Sequence, residues 1–280
     1  MRRAFPLALL VLLGTAFVGR ALAGDAPAAP KPLAKGLAVG DAVPSFALTG
    51  LDGKAFSLDA ARKIPPEDAL AAVQAAAKAV GGTDAKAADP IDKLSGLLQD
   101  GAVDPAKRAA FVQAAGHPYG LVATAASTKD LKTLGDVVAW IQKSATAPIV
   151  FLCWSSGCPT CQLYEERLNE IFSTSGARLY LLASNYNDEP EAMKGRLEGD
   201  NLGWHALLDA DAKVADLFGG RRTPHTFVLD EKNVLRYAGA VDSDAAGTEG
   251  AEKRANWLQD ALVAVAEGRG VDVLQTAPKG

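Results

Sequence analysis

Cysteine is scarce, with three in 280 residues. That excludes a small disulfide-stapled scaffold, which needs paired cysteines spread along the chain. Long apolar runs are missing beyond the N-terminus, so no later segment is fit to span a membrane. An excess of one charge is missing too. The formal net charge of −4 is mild and the charges are interspersed, which excludes an extended nucleic-acid or anionic-membrane surface. There is also no second Cys-x-x-Cys, so a four-cysteine zinc site is not encoded. What needs explaining is why two of the three cysteines, Cys158 and Cys161, stand three residues apart.

Met1-Arg2-Arg3 followed by the almost wholly apolar stretch from Ala4 to Val18 reads as a signal peptide over residues 1–23. Ala21-Leu22-Ala23 supplies the small-x-small cleavage pattern, and no cysteine nearby points to a lipoprotein. The expectation is an exported product, periplasmic or extracellular, with no membrane insertion after cleavage. Residues 24–37, rich in Ala, Pro and Lys without periodicity, read as a flexible linker. The hydrophobic fraction of 49% and the remaining length predict one globular domain over residues 38–280.

Within it, Phe46-Ala47-Leu48 and Phe56-Ser57-Leu58 flank Asp52-Gly53 and predict a β-hairpin. An Ala-rich stretch at about 60–127 follows. Leu70, Val73, Ala77 and Val80 fall at helical spacing there, and further helices are predicted at Asp92 to Gln99 and from Asp104 to Ala115, with Pro105 first. This is read as an all-helical insertion. Ser127 and Asp130 form a candidate capping box ahead of a helix whose face is Leu131, Leu134, Val138 and Ile141.

From Pro148 the text becomes β/α. Ile149 to Trp154 is a continuous apolar run, as for a strand buried on both faces. Pro159 then starts a helix to about Phe172, with Cys161, Tyr164, Leu168, Ile171 and Phe172 on one face. Later signals give the order β-α-β-α-β-β-α and a mixed central sheet with helices on both faces. Cys158 stands at the N-terminus of its helix, where unpaired amides and the helix dipole favour a thiolate, the reactive species in disulfide exchange. Cys161, nearly one turn on, is placed to close a disulfide and release a captured substrate. The expected catalytic residues are therefore Cys158 as attacking thiol and Cys161 as resolving thiol.

Three stretches carry a family resemblance. They are Val39-Gly40-Asp41-Ala42-Val43-Pro44-Ser45-Phe46 with Asp52-Gly53-Lys54, Trp154 with Cys158-Pro159-Thr160-Cys161, and Arg222-Thr223-Pro224 before Thr226-Phe227-Val228-Leu229-Asp230. The chain resembles the redoxin branch of the thioredoxin superfamily, with its alkyl hydroperoxide reductase/thiol-specific antioxidant and TlpA-like members. The resemblance implies an α/β thioredoxin-like fold and thiol–disulfide oxidoreductase activity without a cofactor or metal. It implies a protein thiol or disulfide as substrate and a separate redox partner protein. It also implies that Thr223-Pro224 is a cis peptide beside Cys158, where the substrate strand docks.

The chain departs from thioredoxins in having Leu152 where a buried acid usually stands, so the proton acceptor for Cys161 is left unassigned. Two alternatives have partial support. A thiol peroxidase would use Ser155, three before Cys158, but Phe151 replaces the proline of that pattern. A copper-binding chaperone would recruit His225 to the cysteine pair, although two residues between cysteines is one short. Cys153 is read as a buried hydrophobe. Trp154 is assigned to shaping substrate access or to packing. Arg221 and Arg222, and the loop of Asp242, Asp244 and Glu249, are read as solvated, His117 and His205 as surface residues, and His225, unless it holds copper, as a surface or substrate-facing residue near the site.

Overall fold

The computed structural model describes residues 36–80, 104–200, 202–250 and 252–279. The expected signal peptide, most of the expected linker and the helix expected from Asp92 to Gln99 lie outside the described residues. Leu37 does not belong to the linker. Its amide donates to the Leu217 carbonyl at 2.9 Å, which ties it to the domain.

The hairpin forms as predicted from β1 (Ala47–Gly50) and β2 (Ala55–Ser57), with Leu48 opposite Phe56. Gly53 closes the turn at φ +77°, which a residue without Cβ adopts freely. Ser57 then caps α1 (Leu58–Ala61), its hydroxyl oxygen accepting from the Ala60 amide at 3.1 Å. In α2 (Pro66–Val80) the buried stripe is Ala69, Ala72, Val73, Ala76 and Ala77. Asp104 caps α3 (Pro105–Gly116), where Pro105 sits at a first-turn position whose N–H has no intrahelical acceptor.

Two short segments follow, α4 (Ala125–Thr128) and α5 (Leu134–Lys143). The capping box expected at Ser127 and Asp130 does not form. Thr124 pairs with Ser127, and Thr133 with Asp136, each hydroxyl meeting the N3 amide while the N3 side chain reaches back. Val73, Phe111, Val137 and Ile141, from α2, α3 and α5, share one apolar cluster. The helical unit therefore does not end near residue 127 but extends through α5, because α5 buries its stripe against α2.

The chain then alternates through β3 (Ile149–Cys153), α6 (Pro159–Ser175), β4 (Arg178–Ala183), α7 (Pro190–Gly199), β5 (His205–Leu208), α8 (Lys213–Phe218), β6 (His225–Leu229), β7 (Leu235–Gly239) and α9 (Trp257–Ala266). Helix α7 is absent from the sequence-based order. It turns only Met193 and Leu197 inward, too sparse a pattern to announce a helix. The sheet order is β2-β1-β5-β4-β3-β6-β7, parallel across β5, β4 and β3 and antiparallel elsewhere.

Central β3 is buried throughout, as its unbroken apolar run requires. Alternation along the strand divides it between two cores. Val150, Leu152 and then Trp154 meet Tyr164, Leu168 and Phe172 of α6 and Leu258 and Leu262 of α9. Ile149, Phe151 and Cys153 face Phe56 of the hairpin and Val214 and Phe218 of α8. A mixed sheet with helices on both faces and an antiparallel β6–β7 pair after the parallel strands is the thioredoxin-like architecture that the resemblance implies.

The insertion is tied to this sheet largely through backbone oxygens. Tyr180 Oη donates to the Tyr119 carbonyl at 2.7 Å, and the Leu179 amide to the Gly120 carbonyl at 2.8 Å. Gly120 sits at φ +68°, where a Cβ would come within 2.8 Å of the Leu179 oxygen. The buried Arg178 donates to the Ala61 carbonyl. Arg62 spreads over the carbonyls of Ala145 and Ala147 at 3.0 and 2.6 Å and over Asn233 Oδ1 at 2.8 Å.

Candidate functional site

The carboxyl end of β3 opens into a loop that returns at the first turn of α6. Cys158 is the N-cap residue of that helix, with extended backbone (φ −86°, ψ 113°), and its sulfur accepts from the Cys161 amide at 3.4 Å. The Thr223–Pro224 bond is cis, and the Thr223 carbonyl accepts from Cys158 Sγ at 3.3 Å. The sequence-predicted Cys158, Cys161, Thr223 and Pro224 are thus brought together, Cys158 half-buried and Cys161 and Pro224 buried.

Their electrostatics differ. Burial alone would raise the Cys158 thiol. The Thr223 side chain and the amides of Cys161 and Thr160 outweigh it and hold Cys158 below the ordinary thiol range. Cys161, inside the α6 core, is pushed well above that range by burial, despite an opposing hydrogen bond from the Ser155 backbone. One thiol is therefore set to ionise and the other to stay protonated until its neighbour reacts. Cys153 is the inert hydrophobe expected from the sequence, pushed up to about 12 by burial.

Trp154, assigned to substrate access, is fully buried and stands edge-on to Trp204 at 6.2 Å. It supports the loop from below and cannot touch a substrate. His225 is 7% exposed, its ring 4.3 Å from that of Phe227 and its basicity lowered to about 4, chiefly by burial. Surface placement is thus corrected, because the residue after the cis-proline enters β6 facing inward. Among the described residues, the group of three ligand atoms able to share a metal ion is not Cys158, Cys161 and His225 but Asp52, His117 and His205.

His205 is likewise not a surface residue, and His117 is half-buried. His205 opens β5 at 4% exposure, its basicity lowered to about 4 first by burial, and the His117 ring meets it edge-on at 5.0 Å. The acidic loop is solvated only in part, with Glu249 exposed as expected but Asp242 and Asp244 not. Asp242 is buried, accepting from Tyr164 Oη at 2.8 Å and from Arg167 at 2.5 Å, while buried Asp244 accepts from the amides of Thr248 and Glu249. These charges are buried because partners on α6 and in their own loop satisfy them. Arg221 and Arg222 are exposed as expected.

Sequence reasoning missed Asp188. Its Oδ1 accepts the Ser155 hydroxyl at 2.6 Å, and its own proton affinity is raised by burial. Asn185 donates to the same hydroxyl at 3.2 Å. Nothing local marks the polar run Asn185-Tyr186-Asn187-Asp188 as functional; only the approach of the β4–α7 loop to the cysteine loop does. Ser155 is engaged by Asp188 and Asn185, so it is not the free hydroxyl that a peroxide-binding loop needs.

Residues 114–254, half of the chain, match the family model described as Redoxin. The thiol:disulfide interchange protein DsbE of Escherichia coli (strain K12) is 30% identical over 96 residues, covering 34% of this chain and 50% of that protein. The protein of the same name from Haemophilus influenzae is 33% identical over 98 residues, covering 34% and 52%. The chain spans about half the length of the curated relatives it matches. A hypothetical protein from Sinorhizobium meliloti 1021 shares the fold, with a TM-score of 0.51 at 16% identity over 88% of this chain and 94% of that one. The matched half contains the cysteine pair, the cis-proline and every strand from β3 to β7, and by that match the chain belongs to the redoxin family.

Proposed function

We propose that the protein is an exported thiol–disulfide oxidoreductase acting on protein substrates. The observation that carries this is the pairing of a lowered Cys158 thiol at the N-cap of α6 with a buried, raised Cys161 thiol beneath the cis Thr223–Pro224 bond.

In the reductive direction, Cys158 thiolate attacks one sulfur of a substrate disulfide. A Cys158–substrate disulfide forms, and the other substrate sulfur leaves and takes a proton. Cys161 then loses its proton and attacks Cys158 Sγ, so the intramolecular disulfide forms and the second substrate thiol is released. The substrate gains two electrons and two protons; oxidation of a dithiol substrate is the reverse. Asp188 holds the cysteine loop in place, accepting the Ser155 hydroxyl while the Ser155 backbone bonds to Cys161.

A protein substrate fits the surroundings. Leu163 and Tyr186, near the start of α6 and in the loop that carries Asp188, are 55% and 90% exposed. Exposed apolar side chains on the helix and the loop that flank the cysteine loop offer contact to an unfolded or extended segment. The signal-peptide reading of residues 1–23 supports the exported, periplasmic or extracellular setting.

The test equilibrates the purified protein with glutathione buffers and counts alkylated thiols by mass. A reversible two-thiol transition between about −120 and −270 mV is expected. A pair that forms no disulfide, or that resists reduction below about −300 mV, overturns the proposal.

A further inference from the structure

Three segments far apart in the chain meet at one edge of the insertion. Asp52 comes from the β1–β2 turn, His117 follows α3, and His205 opens β5, two strands away from β3 in the sheet. One ligand atom from each lies within 4.8 Å of the other two. A cavity of about 630 Å³ opens beside them, walled by Ala72 and Ala76 of α2, Ala110 of α3 and Trp204.

We propose that Asp52, His117 and His205 bind a divalent ion of the zinc class, with the remaining coordination position open to this cavity. Two imidazoles and one carboxylate match the donor set of three-ligand zinc sites that keep an open position. Ligand atoms around tetrahedral zinc sit roughly 3.3 Å apart, so capture requires the three ligand atoms to close by up to about 1.5 Å, within the reach of χ rotation.

Three further features fit an ion. His205 is 4% exposed, yet among the described residues its Nδ1 has no hydrogen-bond partner. A buried polar atom left bare is costly unless something occupies it. His117 lies against the Trp204 backbone, and one of its ring nitrogens is within 4.8 Å of the ligand atoms of Asp52 and His205. Gly50 leaves the approach clear, since a Cβ there would come within 2.6 Å of Asp52 Oδ1 and 3.2 Å of the His205 ring. The competing cation is Lys54, 3.6 Å from Asp52 Oδ2, but its side chain is 68% exposed and free to swing into solvent. Lys194 and Glu198 line the outer part of the same cavity. A bound ion would clip the hairpin, the insertion and the sheet together, and its open position would face any small ligand in the cavity.

The site is independent of the cysteine pair, and the experiment keeps the two apart. The full chain, stripped with a chelator and held with Cys158 and Cys161 oxidised, is titrated with Zn²⁺ against a chromophoric competitor and separately with Co²⁺. The expected result is one ion per chain, with visible Co²⁺ d–d bands and no thiolate charge-transfer band. Asp52→Asn and His117→Gln, which spare the buried His205, should each weaken binding by about tenfold or more. Both should leave the circular dichroism and the thiol–disulfide potential unchanged. Failure to retain an ion, an affinity that neither variant alters, or binding that disappears on oxidation of the cysteines would each overturn the proposal.

Discussion

The sheet half and the helical insertion are packed from different materials. Around β3 both cores are aromatic: Trp154, Tyr164, Phe172 and Trp204 fill one face of the sheet, and Phe151 and Tyr180, stacked at 5.6 Å, the other. The insertion instead buries Ala69, Ala76, Ala77, Ala115 and Ala123 around a few larger residues. Large side chains fix one arrangement of the backbone, which suits a loop that must hold two sulfurs and a cis-proline in register. Small ones allow close helix approach but bury little area per residue, so the insertion leans on hydrogen bonds to its own carbonyls from Arg62, Arg178 and Tyr180. The half packed with large side chains carries the cysteine pair; the lightly packed half carries a cavity.

The strongest way to sharpen this contrast lies at the cysteines. Cys158→Ser should remove disulfide exchange entirely in an insulin-reduction assay, whereas Cys161→Ser should keep the attack and accumulate a mixed disulfide visible by mass. Equal activity of the two variants would refute the division of labour. Stability should then separate the halves. Phe151→Ala is expected to cost about 3–5 kcal/mol in urea unfolding. Val73→Ala in α2 is expected to cost only about 2 kcal/mol. Matching losses would break the comparison.

Acid tests both halves together, because His225 lies in β6 beside the sheet core and His205 at the insertion edge. Both are held near 4 in the fold against an ordinary 6.5. The unfolded chain therefore takes up protons that the folded chain refuses, so stability is full above about pH 6.5 and falls as the pH drops toward 4. At pH 5 the loss should be on the order of 2 kcal/mol per histidine. Urea midpoints of the chelator-stripped protein from pH 7 to 5 would show it, and a His225→Gln variant should lose about half of the slope. An unchanged slope would sink the assignment. The smallest effect should come from Thr133→Ala, which removes the α5 cap for about 1 kcal/mol without touching the thiol potential.

Local signals were legible wherever neighbours in sequence decide the outcome. Asp52-Gly53 marked the hairpin, the run from Ile149 to Cys153 marked a strand buried on both sides, and Pro159 after Cys158 marked the helix start that lowers the thiol. Helix α7 and the true extent of the insertion were not legible, since two inward residues or one alanine stripe gain meaning only from what they pack against. Buried charge was misread for the same reason. Asp242, His205 and His225 look like surface residues until their partners or covering strands are in place.

The sequence by itself determined the cysteine pair and the order of most strands, because spacing along a helix or strand is a local property of the backbone; the cis-proline segment followed from the family resemblance. The tertiary structure alone decided that Trp154 is a support, that Asp188 reaches Ser155, and that Asp52, His117 and His205 converge. Each of these depends on loops brought together by the sheet order, and the free energy of burying or pairing a polar group is set by its spatial neighbours rather than its sequence neighbours.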